Sequence, residues 1–87
     1  MYVIVVYDVG VERVTKLCHF LRAYLNWIQN SVFEGELTES EFMKIRNSVE
    51  KITDKNSDSV IFYTVSHESF LKKHVFGTEK AKISSII

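Results

Sequence analysis

The 87-residue chain has no proline, only three glycines, a single cysteine and no net formal charge. One cysteine, Cys18, excludes an intramolecular disulfide and any cysteine-based zinc cluster, and reads as a small core hydrophobe in a reducing compartment. Three glycines leave no Gly-rich phosphate loop, and neither a nucleophile elbow nor a paired Cys or His motif is present. His19, His67 and His74 lack metal-ligand spacing, and His19, on a basic helix face, is the one acid–base candidate among them. Without proline, and with 46% hydrophobic and 25% charged residues, the chain is neither disordered nor collagen-like. The apolar start Tyr2–Tyr7 stops at Asp8 and has no basic segment before it, too short for a signal peptide or a membrane span. A cytoplasmic protein with no membrane partner is expected.

The length allows one domain. A core this small is modest, so self-association would help stabilise it. Zero net charge excludes a uniform basic surface but not a local one. By region, residues 1–32 sum to +1, 33–58 to −3 and 59–87 to +2, so the neutrality is a cancellation.

Tyr2–Tyr7 is β-branched and aromatic throughout, as in a central strand buried on both faces. From Glu12, apolar residues at i, i+3, i+4 and i+7 predict an amphipathic helix over Val11 to about Leu25, with Glu12, Lys16, His19 and Arg22 on its outer face. Trp27, Phe33 and Leu37 share one parity in an alternating stretch that predicts two short strands joined by a bend near Asn30 and Ser31. Thr38-Glu39-Ser40-Glu41 matches a capping box opening a helix over Glu39 to Thr53, with Phe42, Ile45, Val49 and Ile52 inward. After the polar loop 54–58, Ser59 to Val65 is a strong strand. The β-α-β-β-α-β order predicts an α+β, ferredoxin-like sandwich over residues 1–66. Residues 67–87 form a C-terminal extension, with a short strand expected at His74 to Phe76, ended by Gly77. Having no helix of its own to pack on, the extension is expected to add to the sheet edge of a partner subunit.

Asp8 is the sharpest chemical candidate, because a carboxylate ending an apolar strand resists a purely structural explanation. One carboxylate with water and substrate phosphates is a usual Mg²⁺ arrangement, and a two-fold dimer would supply a second. The competing reading is that Asp8 caps the first helix or starts its turn. Arg13, Lys16 and Arg22 are candidate phosphate contacts, or simply a solvated helix face. Glu34, Glu36, Glu39 and Glu41 read as a solvated rim or a docking surface for a basic partner. Most aromatics are assigned to the core, since the aromatic motif of RNA-recognition modules is absent.

The run Tyr2 to Val9, Arg13 and Lys16 on the first helix, the segment Trp27 to Leu37 containing QNSVFEGEL, and Asp58-Ser59-Val60 together resemble the CRISPR-associated protein 2 family across nearly the whole chain. The resemblance implies a homodimer that binds RNA or DNA and supports integration of new spacers with dimers of the CRISPR integrase, in a prokaryotic cytoplasm. It also implies endonuclease activity, on single-stranded RNA or duplex DNA, dependent on Mg²⁺ or another divalent cation, with Asp8 as catalytic metal ligand. Tyr7, Ser31 and Phe33 fall on motif positions near that site, and Arg13 on the basic helix start. Many members carry two consecutive basic residues there, whereas here Val14 follows Arg13. The alternatives are a non-catalytic architectural subunit bridging integrase dimers on duplex DNA, with Lys72, Lys73, Lys80 and Lys82 as contacts, and a related ribonuclease toxin of the same fold.

Overall fold

A computed structural model describes residues 1–81 of the chain. The elements are β1 (Tyr2–Asp8), α1 (Val11–Arg22), β2 (Asn26–Gln29), β3 (Val32–Glu36), α2 (Glu39–Ile52) and β4 (Ser59–Val65), followed by a single 3-10 turn at Glu68–Phe70. The four strands form an antiparallel sheet in the order β2-β3-β1-β4. With both helices on one face, this is the expected ferredoxin-like sandwich.

Alternation along β1 decides the two faces. Val3, Val5 and Tyr7 point at the helices and join Phe33 of β3, Leu17 and Leu21 of α1, and Ile45 and Val49 of α2 in the core. Tyr2, Ile4, Val6 and Asp8 have the other parity. Their cross-strand partners are Glu36, Glu34 and Val32 on β3, and Val65, Tyr63, Ile61 and Ser59 on β4. The expectation that β1 is buried on both faces is therefore corrected. Ile4 and Val6 are only half-buried, because a two-layer sandwich covers one side of its sheet and leaves the other open.

Helix α1 ends at Arg22, three residues before the expected Leu25, because the chain turns into β2. The Leu25 amide still donates to the Leu21 carbonyl at 2.8 Å, and the Leu25 side chain is buried, so its place in the apolar pattern is kept beyond the helix. The capping box of α2 is present in full. Thr38 N–H donates to Glu41 Oε1 at 2.9 Å, and Glu41 N–H to Thr38 Oγ1 at 3.1 Å. The β2–β3 turn puts Asn30 in the left-handed region at φ 43°, where asparagine is among the tolerated residues. Trp27 Nε1–H donates to the Asn30 carbonyl at 3.0 Å and holds that turn.

One expectation about charge is overturned. Glu34 is not on a solvated rim. It is 6% exposed, and its Oε2 accepts from the Tyr2 hydroxyl and from Lys73 Nζ, each at 2.6 Å. Burial and this bond push the Tyr2 phenol above its ordinary pKa. Glu36 pairs with the Met1 amino group at 2.8 Å. In the single chain His74 to Phe76 form no strand, and the sheet edge expected to receive the extension belongs to a partner subunit. The segment after β4 returns over the open face, where Glu68, Leu71 and Lys73 gather at Tyr2 and Glu34 and Val75 approaches Ile28. Phe70 and Phe76 stay exposed. Lys82, among the basic residues expected on the extension, lies outside the described residues.

Candidate functional site

The site is built at the C-terminal end of β1. The last rung between β1 and β4 pairs Asp8 with Ser59, which puts Asp8 at the sheet's end and on its open face. The carboxylate is exposed and makes no hydrogen bond or ion pair among the described residues. It does not cap α1, whose N-cap is Gly10 with no side-chain cap bond. That removes the capping explanation for Asp8. Beside it on the same face lie Val6, Val32, Ile61 and Tyr63, with Ile61 and Tyr63 markedly exposed for their type.

No group of three or more His, Cys, Asp or Glu gathers as a metal cage among the described residues. A lone, uncommitted carboxylate is too small a donor set for a dehydrated cation. It fits a cation such as Mg²⁺, which keeps several waters and takes one or two carboxylates together with substrate phosphate oxygens.

Next to the Asp8–Ser59 rung lies a partly buried ion pair. Asp58, whose carboxylate is 1% exposed, precedes Ser59 and accepts four hydrogen bonds. Arg13 Nε donates to Oδ2 at 2.6 Å, Arg13 Nη2 to Oδ1 at 2.9 Å, Gly10 N–H to Oδ1 at 2.9 Å and Asp54 N–H to Oδ2 at 2.8 Å. The Arg13 bond, with help from the two backbone amides, holds the Asp58 carboxyl far below the usual carboxylate range. The same bond raises Arg13 above its ordinary value. Arg13 Nη1 is taken by Glu12 at 2.7 Å. Arg13, expected as a phosphate contact, thus spends its guanidinium fork inside the protein.

The other expected residues divide between two faces. Lys16 and His19 are exposed on α1; His19 shares a shallow depression with Val14, Thr15, Cys18 and Arg22, and Asp8 is not among its lining residues. The Arg22 guanidinium lies 5.9 Å over the Phe33 ring. Tyr7 and Phe33 adjoin the strand end through the backbone, where Tyr7 N–H donates to the Ser31 carbonyl at 3.1 Å. Their side chains, however, point away from Asp8 into the core, with ring centroids 6.1 Å apart. The Tyr7 phenol is pushed up to about 12 by burial first and then by its contact with Cys18, while the Ser31 hydroxyl and the Arg22 charge act in the opposite sense. Tyr7 therefore stays protonated near neutrality and cannot serve there as a base. Asp58 is the residue that sequence reasoning missed as part of the site. Its only signals were its place at the end of a polar loop and in a family motif.

Fold and site together define a small ferredoxin-like α+β domain whose central strand ends in an uncommitted carboxylate. A family model described as CRISPR associated protein Cas2 matches residues 1–73. The chain belongs to the Cas2 family. It is 53% identical to a CRISPR-associated endoribonuclease Cas2 of Methanosarcina acetivorans and 55% identical to one of Pyrococcus furiosus, with all of both chains covered in each case. A crystal structure of Cas2, 43% identical, superposes with a TM-score of 0.85 and covers 93% of this chain and 91% of its own.

Proposed function

We propose that this chain is a metal-dependent endoribonuclease that works as a two-fold homodimer, with one Asp8 carboxylate from each subunit facing a shared substrate phosphate. The observation that carries the reading is the Asp8 carboxylate itself. It is exposed, it is unpartnered among the described residues, and it ends an otherwise apolar central strand. The activity named for the relatives, CRISPR-associated endoribonuclease, gives the substrate class. The apolar open face around Asp8, with Val6, Ile61 and Tyr63, is the surface on which a second copy would pack.

Asp8 and its symmetry mate would hold a hydrated Mg²⁺, which when bound supplies an activated water and neutralises charge developing on the phosphate. The chain's own contribution is positional. The β1–β4 rung fixes where Asp8 leaves the sheet, and exposed Lys16 with Arg22 offers positive charge to the nucleic-acid backbone. Cleavage of single-stranded RNA and duplex DNA, with Mg²⁺ and with chelator, tests this for the parent, Asp8→Ala and Asp8→Asn. Loss of cleavage by about 100-fold or more is expected in both variants. Unchanged cleavage in either sinks the assignment.

One observation favours a second role beside the first. Because Arg13 is committed to Asp58, its guanidinium is not free to grip substrate beside Asp8. That suits a subunit whose nucleic-acid contacts lie elsewhere and which supports spacer integration by bridging integrase dimers in the prokaryotic cytoplasm. If so, Asp8→Ala leaves spacer integration intact while charge reversal at Lys72 weakens it. Loss of integration in Asp8→Ala refutes the separation of roles.

A further inference from the structure

We infer that Asp58 is a positioning residue for Asp8, acting through the Gly10 amide and the Arg13 guanidinium rather than by touching metal or substrate. The inference rests on the reading of Asp8 as metal ligand and adds a second residue to it.

Asp58 cannot act directly. Its carboxylate is 1% exposed, and four donors from Arg13, Gly10 and Asp54 already occupy its two oxygens. What those donors share is their relation to Asp8. Gly10 lies two residues beyond Asp8, and Ser59, the strand partner of Asp8, follows Asp58 directly. The chain leaving β1 is thus fastened at Asp8 by the rung to β4 and at Gly10 by the carboxylate next to that rung. A short closed ring of backbone results, with Asp8 at its corner. Arg13 fixes the plane of the Asp58 carboxylate through two parallel N–H bonds, a geometry that lysine cannot reproduce. Asp54 ties the same group to the loop ahead of β4.

Gly10 belongs to this device for reasons of space. Its φ of −54° and ψ of 145° are open to any residue, so backbone freedom is not what the position demands. A Cβ there would sit 2.5 Å from Arg13 Nη2 and 2.9 Å from Glu12 Oε1. A side chain at position 10 requires the Arg13 Nη2 end, which donates to Asp58, to shift, which makes Gly10→Ala a way of loosening the clamp while leaving both charged residues in place.

Groups that orient a metal ligand typically matter by about 10- to 100-fold in metal affinity. The test titrates Mn²⁺ into the full 87-residue chain and follows paramagnetic broadening of the Asp8 and Ser59 amide resonances, with thermal melts to confirm folding. In Asp58→Asn the half-saturating Mn²⁺ concentration is expected to rise by about 10- to 100-fold, and kcat on RNA to fall with KM held. Asp58→Asn keeps the shape but places an amide NH₂ against donors. Gly10→Ala should shift Mn²⁺ binding in the same direction, and it carries the test if Asp58→Asn does not fold. In an Asp8→Ala background neither change should move residual Mn²⁺ binding further. Wild-type broadening at Asp8 combined with unchanged half-saturation in the folded variants overturns the positioning role alone. An equal loss in the Asp8→Ala background overturns it too. Absence of any Mn²⁺ effect at Asp8 in the wild type overturns both this inference and the metal reading beneath it.

Discussion

Removal of Lys73 should expose the cost of the charge that the open sheet face hides. Glu34 is 6% exposed and its Oε2 takes donors from Tyr2 and Lys73, each at 2.6 Å. Lys73→Met keeps most of the aliphatic stem and deletes the charge, leaving a nearly buried carboxylate with one neutral donor. Breaking a fully buried pair costs about 3–5 kcal/mol, whereas an exposed pair contributes about 0.2–1 kcal/mol. The Lys73 side chain is 44% exposed, so water already screens half of this pair and a loss of about 2 kcal/mol is expected. For a domain of this size that corresponds to about 10 °C in Tm. Urea unfolding should show a lower midpoint with unchanged slope, since the surface exposed on unfolding is the same. Glu34→Gln combined with Lys73→Met should recover more than half of the loss, because the stranded charge is gone and the Gln carbonyl still accepts from Tyr2. The measurement also locates the extension. A pair within one chain gives a loss independent of protein concentration, whereas a pair between copies gives a loss that grows on dilution. Wild-type stability in Lys73→Met, or strictly additive effects in the double variant, would refute the reasoning.

Two further outcomes follow from the same structure. Asp58 has its carboxyl depressed on folding, chiefly by the Arg13 bond, so its stabilising contribution is complete above the unfolded carboxyl pKa of about 4 and is lost as pH falls through the lower folded value. Urea midpoints measured from pH 7 to pH 2 should fall less steeply in Asp58→Asn than in the parent, and parallel acid limbs would contradict this linkage. Ile61→Lys places a charge in the exposed apolar patch beside Asp8 without disturbing the helix-facing core. Sedimentation should then report a folded monomer, with RNA cleavage lost alongside the dimer; an intact dimer would show that the subunits meet elsewhere.

Much of this fold is legible in the sequence because its local signals agree with its tertiary packing. The Thr38–Glu41 box opens a helix where it should, and the matched parity of Trp27 and Phe33 survives as a cross-strand pair. What escapes a one-dimensional reading is pairing between distant charges. Glu34 looks like one member of an exposed acidic run, and only the return of the tail across the sheet, 39 residues later, buries it against Lys73. Arg13 looks like a helix-face cation until Asp58, 45 residues away, takes its fork. The face that a residue occupies is legible from parity, as with Asp8 opposite Tyr7, but what covers that face is not.

These pairings change how the chain's neutrality bears on nucleic acid. The acidic middle is partly discharged within the fold, since Glu34 and Asp58 are matched by Lys73 and Arg13 and Glu36 by the Met1 amino group. The Arg13 and Lys73 matches each draw a cation from one of the two basic ends, so those ends offer less free charge than their Lys and Arg counts suggest. Lys16 and Lys72 remain exposed, with no ion-pair partner among the described residues. Arg22 is exposed on α1 as well, and contacts of such cations with phosphate release counterions, so nucleic-acid binding should weaken as salt rises. The two-fold association proposed above would double the cations available to nucleic acid and, in the same step, set a second Asp8 beside the first. The proposed dimer would thus serve substrate binding and the metal site in one step, and a monomeric variant should lose substrate affinity and cleavage together.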